Sequence, residues 1–280
     1  KEGLLNGMQG MKIPNSELIE RAALEDLHRA ATPELVKRLD LAGYEQGSAF
    51  VSLAAALPPT AIVINRAIGL GLGQAADDAS LDGLAAAYRG AGVSRYFVQL
   101  HPDALPDNLV RRLEARGLQP ARAWQKFSRG REPVPERPTD LQLAEIGADH
   151  GAAFGAIVGD AFDLGEAAAP WLAGLPGRAN WHIFMSFEDG EPAGTGAMFV
   201  QDGQAWLDYG ATRPAFRRRG SQGAVLAARL RRALDLGCRQ IHTCTGVAAA
   251  GDPQHSYGNI LRMGFRKSYV RENFAPGQAA

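Results

Sequence analysis

A glycine- and arginine-rich segment, RPAFRRRGSQGAV at residues 213–225, has the residue types that bind an anion. It follows a β-rich run and precedes a long amphipathic pattern, so it predicts a strand, a turn and the start of a helix. The first amides of a helix lack intrahelical partners and the helix dipole is positive there, which suits a phosphate. Gly220 and Gly223 have no Cβ atom, so the backbone can approach a ligand closely.

The positive charge around this segment is local. Seven arginines lie between Arg213 and Arg232, whereas the whole chain has 30 basic and 30 acidic residues. A phosphate group is the expected counterpart, and a solvated basic helix that begins with glycines is the alternative interpretation. The neutral net charge and the absence of a long basic stripe with interleaved aromatic residues argue against nucleic-acid binding.

The elements around the segment follow from pattern. Three strands are predicted at residues 181–187, 193–200 and 204–212, with Asp-Gly turns at 189–190 and 202–203 that favour an antiparallel meander. A helix from Gly220 has apolar residues at helical spacing from Leu226 to Gly237. A strand at 240–245, a helix at 256–263 and a strand at 266–274 complete a β-β-β-α-β-α-β order.

Motif and order together resemble the GCN5-related N-acetyltransferase (GNAT) family. Its signature is Arg or Gln, two residues, Gly, one residue, then Gly or Ala at a helix start; Arg217 and Gly220 match it, and Pro214 precedes them as is common there. Gln222 departs from the second small residue. The segment NILRMGF at residues 259–265 is similar to the family's Asn-x-x-Arg-x-Gly-Phe.

The resemblance implies an α+β GNAT fold, a central and mostly antiparallel sheet flanked by helices. It implies an N-acetyltransferase that moves an acetyl group from acetyl-CoA to a primary amine of a small molecule or peptide by direct attack, with no metal. A non-catalytic acyl-CoA sensor or interaction module is the alternative. Coenzyme A would contact a pantetheine strand, a pyrophosphate loop and a residue on the following helix, namely Gly210, Ala211, Thr212, Arg217, Arg218, Arg219, Gly220, Ser221, Gln222, Gly223, Ala224 and Asn259.

Catalytic groups are less well defined by the sequence. Asp208, two residues before Gly210, is the candidate general base, with Glu188 a weaker one. The family often has a tyrosine acid four residues before the Gly of Gly-Phe, where this chain has Ile260; Tyr257, nearby on the same helix, is the candidate acid. By the same resemblance, the acceptor is expected to enter past the Gly-, Ala- and Pro-rich segment from Phe162 to Trp181, where the family's variable helices line the substrate. The aromatic pair Trp171 and Trp181 in this segment is more often core.

Two tandem domains are predicted. The proline-rich segment at residues 128–139 separates residues 1–130 from residues 137–280. The first half has a similar order, with strands at 49–56, 61–73 and 94–100 and helices at 80–89 and 107–116, which indicates a degenerate GNAT-like copy. Its helix start carries Asp77, Asp78 and Asp82, which would repel a pyrophosphate; an unrelated α/β domain is the alternative.

Compartment and assembly are weakly constrained. The chain has only two cysteines, Cys238 and Cys244, in no disulfide or zinc pattern, which favours a reducing cytoplasm. Prolines and Arg66 interrupt the most apolar stretch, which excludes a membrane span there. The first residues lack a signal-peptide core, and Met8 or Met11 is a candidate start. A homodimer is left open.

Overall fold

The computed structural model describes residues 12–249, 251 and 255–277, so the candidate starts at Met8 and Met11 lie outside the described residues. Eleven strands form one continuous sheet in the order β1-β2-β3-β4-β11-β5-β10-β9-β8-β7-β6. Eight of its ten strand pairs are antiparallel, and the two parallel pairs are β3 with β4 and β9 with β10. The predicted α+β class, with a mostly antiparallel sheet and flanking helices, is confirmed.

The first half supplies four strands at one edge of the sheet and a fifth, β5, near its middle. Its helices and strands are α1 (Asn15–Arg29), α2 (Pro33–Leu39), β1 (Leu41–Gln46), β2 (Ala49–Ala54), β3 (Arg66–Ile68), α3 (Asp78–Gly90), β4 (Phe97–Leu100), α4 (Leu109–Glu114) and β5 (Leu118–Arg129). The second half contains β6 (Gln142–Ile146), α5 (Gly151–Ala161), α6 (Ala169–Leu172), β7 (Trp181–Glu188), β8 (Glu191–Gln201), β9 (Gln204–Thr212), α7 (Ser221–Asp235), β10 (Gln240–Gly246), α8 (His255–Arg262) and β11 (Arg266–Pro276).

The predicted meander is confirmed as β7, β8 and β9. Both Asp-Gly pairs have positive φ at each residue, 47° and 84° at Asp189 and Gly190 and 51° and 72° at Asp202 and Gly203. Two consecutive residues with positive φ give a turn whose twist matches that of antiparallel strands. The hairpins therefore follow from local sequence.

The strand predicted at residues 61–73 is mostly wrong. Only Arg66–Ile68 is a strand, because turns precede it and the backbone then passes through Gly69, Gly71 and Gly73 with φ of 87°, 77° and 72°. Those values lie in the left-handed region, which interrupts an extended strand. The apolar residues of this stretch are buried in turns, and the hydrophobic pattern alone could not distinguish the two cases.

The final strands of the two halves are exchanged. β5 of the first half pairs with both β10 and β11 of the second half, and β11 pairs on its other side with β4. Each half therefore completes its part of the sheet with a strand from the other. That residues 1–130 and 137–280 are two copies of one domain stays a prediction.

Helices cover both faces of the second half of the sheet. α7 and α8 enclose an apolar cluster on one face, while α5, α6 and the N-terminal helix α1 pack on the other. Trp171 and Trp181 are fully buried there, and their indole N–H groups donate to Leu27 O and to Asp26 of α1. The pair therefore belongs to the core and does not line an entry for the acceptor. Within the described ranges, no helix is both long and apolar enough to cross a bilayer.

Candidate functional site

A cleft opens where the parallel strands β9 and β10 separate. They pair only over Gln204–Trp206 and Gln240–His242; beyond this point β9 pairs only with β8, and β10 only with β5. The separation leaves one edge of each strand without a strand partner. The cleft has a volume of about 140 Å³. Its lining comes from β9, β10, α7, α8 and the end of α5: Phe162, Leu207, Asp208, Tyr209, Gly210, Gln222, Leu226, Arg229, Thr243, Cys244, Thr245, Ser256, Asn259 and Ile260.

A β-bulge in β9 shapes the mouth of the cleft. The register between β8 and β9 shifts between Thr195 and Ala197, and Tyr209 has a φ of 50°. Asp208, at the bulge, is half-buried; its carboxylate accepts hydrogen bonds from the Tyr209 amide at 2.8 Å and from Trp206 Nε1 at 3.1 Å. Burial raises the pKa of Asp208 above its ordinary value, although nearby Arg66 opposes the shift. Gly210, the first of the predicted pantetheine residues, is exposed and lines the cleft, whereas Ala211 and Thr212 are not among the lining residues.

The helix that follows begins where the sequence predicts. Gly220 is the N-cap of α7 with φ 78°, and a Cβ atom there would lie 2.5 Å from Pro138 O, so only glycine fits. Ala224 N donates to Gly220 O at 3.0 Å. In the part of the chain that the structure describes, no group accepts a hydrogen bond from the amides of Ser221, Gln222 and Gly223. These three donors are therefore available to an anion.

The three arginines before the helix are not equivalent. Arg217 and Arg218 are exposed, and Arg217 Nε reaches Thr212 O at 3.4 Å. Arg219 instead contacts Asp140 and Glu188, each at 2.5 Å, and hydrogen bonds to both carboxylates raise its pKa. Its charge is already balanced. Glu188, the weaker base candidate, is held in this ion pair and does not line the cleft.

Side chains of α7 and α8 meet across the cleft. Asn259 Nδ2 donates to Gln222 Oε1 at 2.6 Å, and Gln222 Nε2 donates to Ser256 Oγ at 3.2 Å. Gln222, which departs from the family motif, thus bridges to the second motif. Tyr257 does not line the cleft, because its ring packs edge-on against Phe127 with centroids 5.1 Å apart. Asp208 and Asn259 therefore line the same cleft, whereas the candidate acid Tyr257 does not.

Several residues that line the cleft are absent from the predicted site, among them Cys244 and Arg229, whereas Phe162 begins the segment expected at the acceptor entry. Burial raises the pKa of Cys244 to about 12, which keeps it a thiol. Arg229 lies three residues after Leu226 and four before Ala233, so its place on the buried face of the helix could have been deduced from spacing. Charged residues are seldom buried, so a hydrophobic pattern alone does not predict an arginine on this face.

The corresponding helix start in the first half is already occupied by carboxylates. Asp77 caps α3, accepting from the Ser80 amide at 2.7 Å. Asp78 contacts both Arg112 and Arg116 at 2.8 Å. A larger and more open depression of about 480 Å³ lies elsewhere in this half, between α1, α2, β1 and β2. Among the described residues, no group of three or more His, Cys, Asp or Glu side chains could hold a metal ion.

Solved structures share this architecture. A GCN5-related N-acetyltransferase from Kribbella flavida superposes with a TM-score of 0.64 at 19% identity, covering 96% of this chain and 98% of that one. One from Sphaerobacter thermophilus gives 0.53 at 18%, covering 69% and 64%. A tandem GNAT protein from the clavulanic acid biosynthesis pathway gives 0.51 at 14%, covering 77% and 76%. No family model and no curated protein matches the sequence. The chain therefore has the GNAT fold.

Proposed function

We propose that the protein is an acyltransferase that moves an acetyl group from acetyl-CoA to a primary amine of a small molecule or peptide. The observation that carries the proposal is the combination of a cleft between separated parallel strands and three unpartnered amides at the adjoining helix start. A thioester with a diphosphate in its arm needs both features. The GNAT fold is consistent with this reaction.

The donor would bind along β9 and the start of α7. The amides of residues 221–223 would bind the pyrophosphate, with Arg217 and Arg218 adding positive charge. The edge of β9 at Gly210–Thr212 would pair with the pantetheine amides as an added strand does. Asn259 would contact the arm from the opposite wall.

Transfer requires a neutral amine, a stabilised oxyanion and a proton acceptor. Asp208 is the carboxylate in the cleft, and burial raises its pKa toward the range useful for a general base. The amine would attack the thioester carbonyl directly: the new C–N bond forms as the C–S bond breaks, and the amine proton leaves for Asp208 or for a water beside it. No general acid is assigned. The two unpaired cysteines fit our further proposal that the protein works in the cytoplasm.

Thermal unfolding with acetyl-CoA tests donor binding. A ligand at 100 times its dissociation constant adds about 2.7 kcal/mol to the free energy of unfolding, so a clear rise in Tm is expected. Release of free thiol with a panel of primary amines then tests transfer. Binding without thiol release for any amine would favour the non-catalytic sensor, and absence of binding would refute the donor site.

A further inference from the structure

Arg229 projects from α7 into the base of the cleft. It is 5% exposed, and its Nη1 donates to Ala197 O at 2.9 Å and to Asp208 O at 3.1 Å, two carbonyl groups at the bulge. A Cβ atom at Gly196 would lie 2.6 Å from its Cζ, so the guanidinium packs flat against this glycine. The side chain is therefore fixed in place, with one edge on the bulge.

The other edge of this guanidinium has no partner. Its Nε is buried without a hydrogen bond, and its Nη2, near Gly210, makes none within the described ranges. No described carboxylate lies within 4.0 Å of it, and the carboxylate of Asp208 accepts hydrogen bonds from Trp206 and Tyr209. The buried cations Arg66 and Arg271, by contrast, contact Glu20 at 2.6 Å. Burial lowers the pKa of Arg229 to about 10 and the charge of Asp208 opposes this shift, so Arg229 stays charged at neutral pH.

A buried cation with free donors and no carboxylate in contact with it is unfavourable unless an anion joins it. A guanidinium presents its donors in a planar fork that matches a carboxylate. Leu207, Leu226 and Thr243 line the cleft beside Arg229, so an aliphatic chain can reach the fork. We infer that Arg229 binds the carboxylate of a substrate inside the cleft, carried either by the acyl group of the thioester or by the acceptor amine. The inference rests on the proposed acyltransferase function and narrows its substrate class.

Experiments on the wild-type protein distinguish the two possible carriers of the carboxylate, the acyl group and the acceptor amine. In the donor arm, calorimetry compares succinyl-CoA with butyryl-CoA, which has a methyl group in place of the carboxylate, and with free coenzyme A. In the acceptor arm, thiol release is compared for amino acids and for their amides. In one of the two arms, the compound with the carboxylate should exceed its neutral analogue on the order of 10- to 100-fold, in affinity for the donor or in kcat/KM for the acceptor. This is the gain expected from charge-assisted hydrogen bonds.

Arg229→Met should abolish that preference while leaving the affinity for free coenzyme A nearly unchanged. Arg231→Met, an exposed position on the same helix, is the matched control and should keep it. If Arg229→Met does not fold, the wild-type comparison still decides. Equal values for charged and neutral compounds in both arms would overturn the inference alone, whereas failure of free coenzyme A to bind would refute the donor site and the inference with it.

Discussion

Asp208 combines three properties at one residue: it lies at the bulge, lines the cleft and has a pKa raised by burial. A general base must be ionised, so kcat/KM should fall as the pH drops through this pKa, which lies above the ordinary value for an aspartate. Asp208→Asn should lower kcat about 10²- to 10⁴-fold and remove this acidic limb. A pH–rate profile measures both effects, with the Kd for acetyl-CoA as control. An Asn variant within a few-fold of wild type would assign the base elsewhere.

Tyr257 is the residue for which the structure changes the expectation most. Its ring packs against Phe127, with Lys267 Nζ 5.4 Å from the ring centroid, and Tyr257 is not among the residues that line the cleft. Tyr257→Phe keeps this packing and should leave kcat within a few-fold of the wild-type value. Steady-state kinetics with the best amine decides. A loss of 100-fold or more would restore the tyrosine as general acid.

At the scale of elements, the start of α7 is where charge should matter most. Gly223 is the third residue of the helix, and the atoms nearest to its Cβ position belong to the Arg137 side chain, at 3.4 Å and beyond. Gly223→Glu should raise the free energy of unfolding by about 0.5–1 kcal/mol, because it removes a helical glycine and complements the dipole. The same carboxylate should repel the pyrophosphate and weaken acetyl-CoA binding roughly 10-fold or more.

Gly223→Gln is the matched control for this change. It adds the same bulk without charge, so the difference in acetyl-CoA affinity between the Glu and Gln variants isolates the electrostatic contribution. Calorimetry and urea unfolding give both quantities. Equal affinities would mean that the amides at this helix start do not bind the diphosphate.

At the scale of the whole molecule, the two halves are joined by more than the linker. β5 lies between β10 and β11, and Glu17 and Glu20 of α1 form buried ion pairs with cations on three strands: Arg66 on β3, Lys126 on β5 and Arg271 on β11. Removing one partner of such a pair leaves a buried charge uncompensated. Only Arg271 belongs to the second half, so separation of the halves would take this buried cation away from Glu17 and Glu20.

A cut in the linker should therefore leave the protein intact in solution. A specific protease site inserted between residues 133 and 137, followed by cleavage, is expected to give two fragments that co-elute in size-exclusion chromatography. Bound acetyl-CoA should still raise the Tm of the nicked protein. Fragments that separate without denaturant would show that the exchanged strands do not hold the halves together.

The sequence alone determined the features that depend on short-range signals. Asp-Gly pairs specify the meander, Gly220 specifies the start of α7, and the periodic apolar residues after it specify the helix. Each signal acts within a few residues, because turn geometry and helix caps are local properties of the backbone. The same reasoning failed at residues 61–73, where apolar residues are buried without forming a strand.

Only the tertiary structure decided which groups share the cleft. Several features of the cleft depend on partners that are distant in sequence. They are the exchange of β5 and β11, the packing of α1 on β9, the packing of Tyr257 against Phe127 and the burial of Arg229 against Gly196. A sequence pattern does not specify such partners, because many pairings of the same strands satisfy the same alternation of polar and apolar residues. Close packing and the pairing of buried charges select one of them.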